Sequence, residues 1–167
     1  IYIPLGNSTP DYWGGHRTEA ANHYASSIVA LDYKTGRERW AYQTVHHDIW
    51  DYDIPAQPAL YDVPDGEGGT LPALIQVTKT GNIFMLNRET GEPIADVVER
   101  PVPQQELAGD KTAPTQPFSV GMPYIGQEKL TEADMWGATI YDQMLCRIQF
   151  KSLRYDGPFT PPGLTAS

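Results

Sequence analysis

Two Thr-Gly turns, Thr35-Gly36 and Thr90-Gly91, stand 55 residues apart, and each follows an apolar run ending in Leu-Asp or Leu-Asn. A repeat near 50 residues, built of short apolar runs and tight turns, is the pattern of β-propeller blades, small antiparallel sheets that stack face to face. In the first unit, Ala25 to Asp32 reads as a buried strand, Lys34-Thr35-Gly36 as a turn, and Glu38 to Val45 as a second strand. In the second, Ala73 to Thr78 and Ile83 to Asn87 read as strands around the turn Lys79-Thr80-Gly81-Asn82, with Glu89-Thr90-Gly91 after them. Residues 147–155 alternate polar and apolar, which predicts a further strand. Fifteen Gly and fifteen Pro among 167 residues are far more than a helical bundle tolerates. The expected class is all-β, a partial β-propeller.

Residues 97–135 carry Pro101, Pro103, Pro114, Pro117 and Pro123 and follow no regular period. Because Phe118, Met122, Tyr124 and Ile125 are interleaved, this stretch reads as a long excursion from one domain spanning 1–167, not as a linker. Thr131 is the expected N-cap of a short helix, with Glu132 and Asp134 in its first turn.

Twelve basic against twenty-one acidic side chains give a net charge of −9. With no basic stripe to neutralise phosphates, nucleic acid is excluded as the expected partner. No apolar run approaches the ~18 residues of a membrane span. The single cysteine, Cys146, cannot form an internal disulfide, and its neighbours Met144 and Leu145 predict a buried, inert thiol. Of the four tryptophans, Trp40 is expected in the core, Trp136 in packing, and Trp50 beside any site that Asp51 forms. The chain starts within Ile1-Tyr2-Ile3-Pro4-Leu5 without an initiator Met or a signal peptide, and ends just after Thr160-Pro161-Pro162-Gly163. It reads as an internal piece of a longer protein.

Chemistry-bearing residues concentrate in His46-His47-Asp48-Ile49-Trp50-Asp51-Tyr52-Asp53. Three carboxylates within six residues are expected to raise one another's pKa and could hold a divalent cation, with Trp and Tyr excluding water. The plainer reading is a polar loop whose Asp48 and Asp53 cap turns. A zinc site from His46, His47 and Asp48 is disfavoured, because adjacent histidines on a strand point to opposite faces. Asn7-Ser8-Thr9 is formally a glycosylation sequon and otherwise a loop. Lys79 and Asn82 are turn residues on local grounds.

The stretch Ala30-Leu31-Asp32-Tyr33-Lys34-Thr35-Gly36-Arg37-Glu38-Arg39-Trp40 matches the tryptophan-docking motif A-x-D-x-x-T-G-x-x-x-W. Together with Gly6 to Asp11, His46 to Asp53 and Lys79 to Asn82, in that order, it resembles the pyrroloquinoline quinone (PQQ) dehydrogenases. Pro55-Ala56-Gln57-Pro58, Pro114-Thr115-Gln116-Pro117-Phe118 and Ala133-Asp134-Met135-Trp136-Gly137-Ala138-Thr139 are similar to the membrane-bound glucose and quinate/shikimate branch. The resemblance covers essentially the whole chain. It implies about three blades of an eight-bladed propeller and oxidation of glucose to gluconolactone with ubiquinone as electron acceptor. Quinate, shikimate or another polyol is the alternative substrate, and a non-enzymatic propeller scaffold the alternative class. It implies PQQ and Ca²⁺ (or Mg²⁺) as cofactors, and the periplasmic face of the bacterial inner membrane through an anchor outside this chain. Residue by residue, it makes Asp51 the general base, Lys79 and Asn82 cofactor contacts, and Asn7 and Thr9 metal contacts. The family's aromatic floor and acidic metal ligand match nothing in these residues, so the excerpt alone is expected to be inactive.

Overall fold

In the computed structural model, residues 1–127 and 129–163 are described. The first repeat is a three-stranded antiparallel sheet of β1 (Tyr2–Pro4), β2 (Ser27–Leu31) and β3 (Glu38–Gln43), in the order β1-β2-β3. The second is built from β4 (Ala59–Pro64), β5 (Thr70–Val77) and β6 (Ile83–Asn87), in the order β4-β5-β6. The apolar opening run thus supplies an edge strand. β4 escapes prediction because its side chains are mostly exposed and it has no apolar face to mark it.

Asp32 shapes the first Thr-Gly turn. Its Oδ1 accepts from the Lys34 and Thr35 amides at 3.0 Å each, and Gly36 takes the left-handed backbone (φ +69°) that closes the turn. The second turn is where the sheets meet. Gly91 (φ +79°) lies so close to Trp40 that an ideal Cβ would stand 2.7 Å from the indole, and Trp40 Nε1 donates to the Arg88 carbonyl at 3.1 Å. The Tyr2 hydroxyl donates to the same carbonyl at 2.8 Å. Ile28, Ala30 and Trp40 from the first sheet and Leu74, Phe84 and Leu86 from the second form one continuous core. Each sheet therefore covers the face its neighbour cannot bury alone.

The register fixes which loops share an end. Pro4 pairs with Ile28 and Ser27 with Gln43, so residues 5–26 and 44–58 leave the first sheet together, opposite its Thr-Gly turn. In the second sheet Ala59 pairs with Ile75 and Val77 with Ile83, so the 78–82 turn lies at the end where β4 begins. The Gln76 side chain donates to the Ala56 carbonyl at 2.9 Å, which ties these ends together.

The Pro-rich excursion is more regular than its composition predicts. It opens with β7 (Val97–Pro101), closes with β10 (Thr115–Ser119), its antiparallel partner, and holds a small hairpin of β8 (Glu106–Leu107) and β9 (Asp110–Lys111) between them. Pro101 and Pro117 are tolerated because a two-stranded ribbon leaves each strand an unpaired edge. Thr131 does precede a short 3₁₀ turn, Glu132–Asp134, as expected.

Three expectations fail further along. Residues 147–155 are not a strand, because α2 (Ile140–Ser152) runs through most of them. Thr139 and Asp142 form a reciprocal capping box that starts a helix, and a short polar-apolar alternation suits a solvated helix as well as a strand. Cys146, on this helix, is exposed, not buried, and Trp136 is 78% exposed rather than packed. A second helix, α1 (Glu19–Tyr24), capped by Thr18, was not legible in so short a segment.

Since Trp40 is the joint between the sheets, Trp40→Ala in the full-length protein is expected to cost about 3–5 kcal/mol, the usual range for truncating a buried aromatic. Gly91→Ala should also destabilise, by backbone strain and by collision with the indole. Denaturant unfolding of both variants checks this, and unchanged midpoints would remove the joint.

Candidate functional site

The loop between β3 and β4 carries the candidate residues, and side chains from distant segments hold it. His46 is gripped at its backbone by Gln116, whose Oε1 accepts from the His46 amide and whose Nε2 donates to its carbonyl, both at 2.7 Å. The His46 ring lies between Gln43 Oε1 and Glu99 Oε1, both 2.9 Å away. The His47 ring lies between Asn22 Oδ1 (2.8 Å) and Asp110 Oδ1 (2.6 Å). Because the two rings bond different partners, and Asp48 bonds others again, these residues do not converge on one zinc ion. Arg17 ties the 7–10 segment to this loop, donating to the carbonyls of Asp48 (2.6 Å), Ser8 and Pro10 (2.9 Å each).

Asp48 is fully buried. Its Oδ1 accepts from the Trp50 amide and its Oδ2 from the Tyr52 amide, both at 2.8 Å, and Oδ2 also accepts from the Ser26 hydroxyl. Burial pushes its carboxyl above the ordinary value, opposed by the Ser26 hydroxyl, the two amides and the Arg17 charge. Asp53 moves the other way, held low by the Asn7 amide first and by Lys79 and Asp51 after it. The expectation that three neighbouring carboxylates raise one another is therefore corrected: burial raises one, and donors lower another.

Asp51 adopts a left-handed backbone, φ +63°, a conformation that costs a residue with a side chain about 1–3 kcal/mol. The ammonium of Lys79 lies beside it, 2.8 Å from the Asp51 carbonyl, 3.4 Å from Asp51 Oδ2 and 2.9 Å from Asp53 Oδ2. Asp53 Oδ1 in turn accepts from the Asn7 amide at 2.6 Å. Residues 7, 51, 53 and 79 thus meet at the shared end of the two sheets. Lys79 is held above its ordinary value, first by its bond to Asp53. It faces an open cavity of about 460 Å³, which Tyr52, Tyr124 and Tyr155 also line.

The Lys79 turn is itself pressed onto the chain near residue 126. An ideal Cβ on Gly81 (φ +82°) would stand 2.2 Å from Gly126 Cα, and the Ile125 amide donates to the Gly81 carbonyl at 3.0 Å. Asn82 is buried behind this turn, accepting from the Ser119 amide and donating to the Thr80 hydroxyl, both at 3.1 Å. Asn7 Oδ1 accepts from the Ser8 amide at 2.8 Å and keeps a second lone pair, while Thr9 is exposed just beyond. Trp50 is committed elsewhere: it donates to the Thr160 carbonyl at 2.8 Å and meets Phe159 edge-on. Arg17, Ser26 and Gln116 escaped the sequence reading, because a polar residue gripping backbone leaves no local pattern.

Docked antiparallel sheets with a carboxylate and cation gathered at one end define a propeller-type domain with a polar site on its loop face. The whole chain, residues 1–167, matches the family model described as PQQ: Glucose/ethanol/alcohol dehydrogenase, beta-propeller domain, and the chain belongs to that family. It is 49% identical over its full length to a quinate/shikimate dehydrogenase (quinone) from Acinetobacter baylyi, covering 21% of that protein. It is 52% identical over its full length to a quinoprotein glucose dehydrogenase from Gluconobacter oxydans, covering 20% of it. A glycerol dehydrogenase large subunit from Gluconobacter thailandicus is 50% identical over 98% of this chain, which covers 22% of that subunit. The chain spans about a fifth of the length of these relatives.

The depressed Asp53 carboxyl sets the acid edge of this arrangement. A carboxyl whose folded value is lowered adds stability above its ordinary value of 3.8, and that stability is lost as pH falls through the lower, folded value. Unfolding midpoints of wild type and Asp53→Asn should therefore differ most above pH 3.8 and converge as pH drops below it. A difference that holds steady or widens toward acid would contradict the assignment.

Proposed function

We propose that this chain supplies the proton acceptor and the fixed cation of a PQQ-dependent dehydrogenase active site. The observation that carries this reading is the convergence of Asp51 and Lys79, 28 residues apart, with Lys79 itself lining an open cavity. The donor set fits the implied groups. An ammonium that lines a cavity together with three tyrosines suits a flat, anionic aromatic cofactor, and the side-chain oxygens of Asn7, Asp51 and Asp53 are the hard donors that Ca²⁺ or Mg²⁺ takes. Thr9 stands beside Asn7 in this reading, and Asn82 supports the Lys79 turn from behind.

PQQ, when bound, supplies the two-electron acceptor that takes the hydride of the alcohol carbon. Asp51 accepts the hydroxyl proton at its carboxylate, the general-base task. Lys79, kept protonated by its carboxylate neighbours, presents a fixed positive charge that stabilises negative charge brought against it. Asp53 and the Asn7 amide hold Lys79 in place.

The substrate class is a sugar or polyol, since relatives of nearly equal identity are named for glucose, for quinate/shikimate and for glycerol. Glucose and quinate both remain substrates of this reading. Ubiquinone is the proposed electron acceptor, and the periplasmic face of the inner membrane the proposed location. A non-enzymatic scaffold has no use for a base and a cation held at this distance.

Asp51→Asn in the full-length enzyme is expected to retain PQQ and lose turnover by roughly 10²–10⁴-fold, the usual contribution of a general base. Lys79→Ala should weaken PQQ retention as well as rate. Cofactor titration and steady-state assays with glucose, quinate and glycerol check both, and near-normal turnover of Asp51→Asn would sink the reading.

A further inference from the structure

Among the described residues, three other than glycine adopt left-handed backbone: Ser26 (φ +47°), His47 (φ +44°) and Asp51 (φ +63°). All three surround Asp48. Ser26 donates its hydroxyl to the Asp48 carboxylate, His47 precedes Asp48 in the chain, and Asp51 lies between the two residues whose amides that carboxylate accepts. Such backbone persists only where the surroundings over-determine it, and its clustering points to a site that needs it.

The over-determination is visible in the hydrogen bonds. Asp48 Oδ1 holds the Trp50 amide and Oδ2 the Tyr52 amide, both at 2.8 Å. The Tyr52 amide belongs to the peptide plane that follows residue 51 and the Trp50 amide to the plane that enters residue 50, so the carboxylate pins the chain just before and just after the Trp50–Asp51 segment. Asp51 then has little freedom left, and its carboxylate stays 3.4 Å from the Lys79 ammonium. A capping role alone would not require a carboxylate that is fully buried and accepts from three donors at once. Only a carboxylate can accept from both amides and the hydroxyl at once. A carboxamide of the same shape has one accepting oxygen and would turn an N–H donor toward one of these donors.

We propose that Asp48 is the positioning residue of this active site, a buried carboxylate that locks Asp51 in the left-handed conformation from which it accepts the substrate proton. This rests on the reading of Asp51 as proton acceptor. Asp48 touches neither substrate nor cofactor and acts only through the backbone on either side of Asp51. Ser26 completes the lock by holding Asp48 itself.

The test uses the full-length enzyme loaded with PQQ and a divalent cation, comparing wild type, Asp48→Asn, Ser26→Ala and Asp51→Asn. The substrate is whichever of glucose, quinate and glycerol the wild type oxidises, and rates are expressed per PQQ-loaded site. Asp48→Asn should lower kcat per loaded site by about 10- to 100-fold, the scale of a small misplacement of a reacting group, with KM little changed. The isotope effect with substrate deuterated at the reacting carbon should rise, because a misplaced base slows the chemical step. Ser26→Ala should move both readouts the same way by less. Damage that was only structural would reduce the number of loaded sites and leave kcat per site and the isotope effect at wild-type values. Wild-type values in Asp48→Asn, with Asp51→Asn inactive, overturn this proposal alone, whereas an active Asp51→Asn overturns the functional reading beneath it. If Asp48→Asn does not fold, Ser26→Ala decides on the same two readouts, and wild-type values there overturn the lock.

Discussion

Where the indole of Trp40 rests on Gly91, two small sheets become one body. Three antiparallel strands are close to the minimum that holds together in water, and then only with one face covered. The docking covers that face for both sheets, and the Arg88 carbonyl, which receives Trp40 and Tyr2 together, fixes their relative angle. Everything at the opposite end follows from it. The loops after β1 and β3 and the turn after β5 leave sheets whose spacing is already set, so residues as distant as Asn7, Asp51 and Lys79 meet without long connecting structure.

Within that frame, environment separates three carboxylates that look alike in sequence. Asp48 is buried and holds three donors, Asp53 is tied to an amide and an ammonium, and Asp51 sits between them on strained backbone with its carbonyl and Oδ2 toward that ammonium. Pairs of acids whose surroundings push their titration apart are how a fold gives one chemical group several tasks. The acidic character of the whole chain plays no such part, since the charges that matter are those brought within hydrogen-bond reach of Lys79.

The blades were legible because the Thr-Gly repeat and the runs at 25–32, 73–78 and 83–87 bury apolar faces, and burial writes itself into sequence as hydrophobicity. β4 and α2 were not, because both expose most of their side chains, and their pairing or capping is the only trace they leave. Asp51 and Lys79 stood out through the resemblance, not through local pattern. The grip on the Asp51 loop stayed hidden for a different reason. Gln116, seventy residues from His46, acts by matching backbone groups, and such a contact asks for one polar residue at a point that only the folded chain defines.

The meeting of Gly81 and Gly126 carries a consequence for how this site can change over evolutionary time. Most tight contacts can be relieved by shrinking the partner when one side grows. Here both sides are already glycine, and what an added Cβ on Gly81 would strike is the backbone of Gly126, 2.2 Å away. Shrinking a neighbouring side chain therefore cannot make room at residue 81; only a movement of the backbone can. The turn that presents Lys79 thus tolerates change at residue 81 only together with a shift of the 124–126 segment.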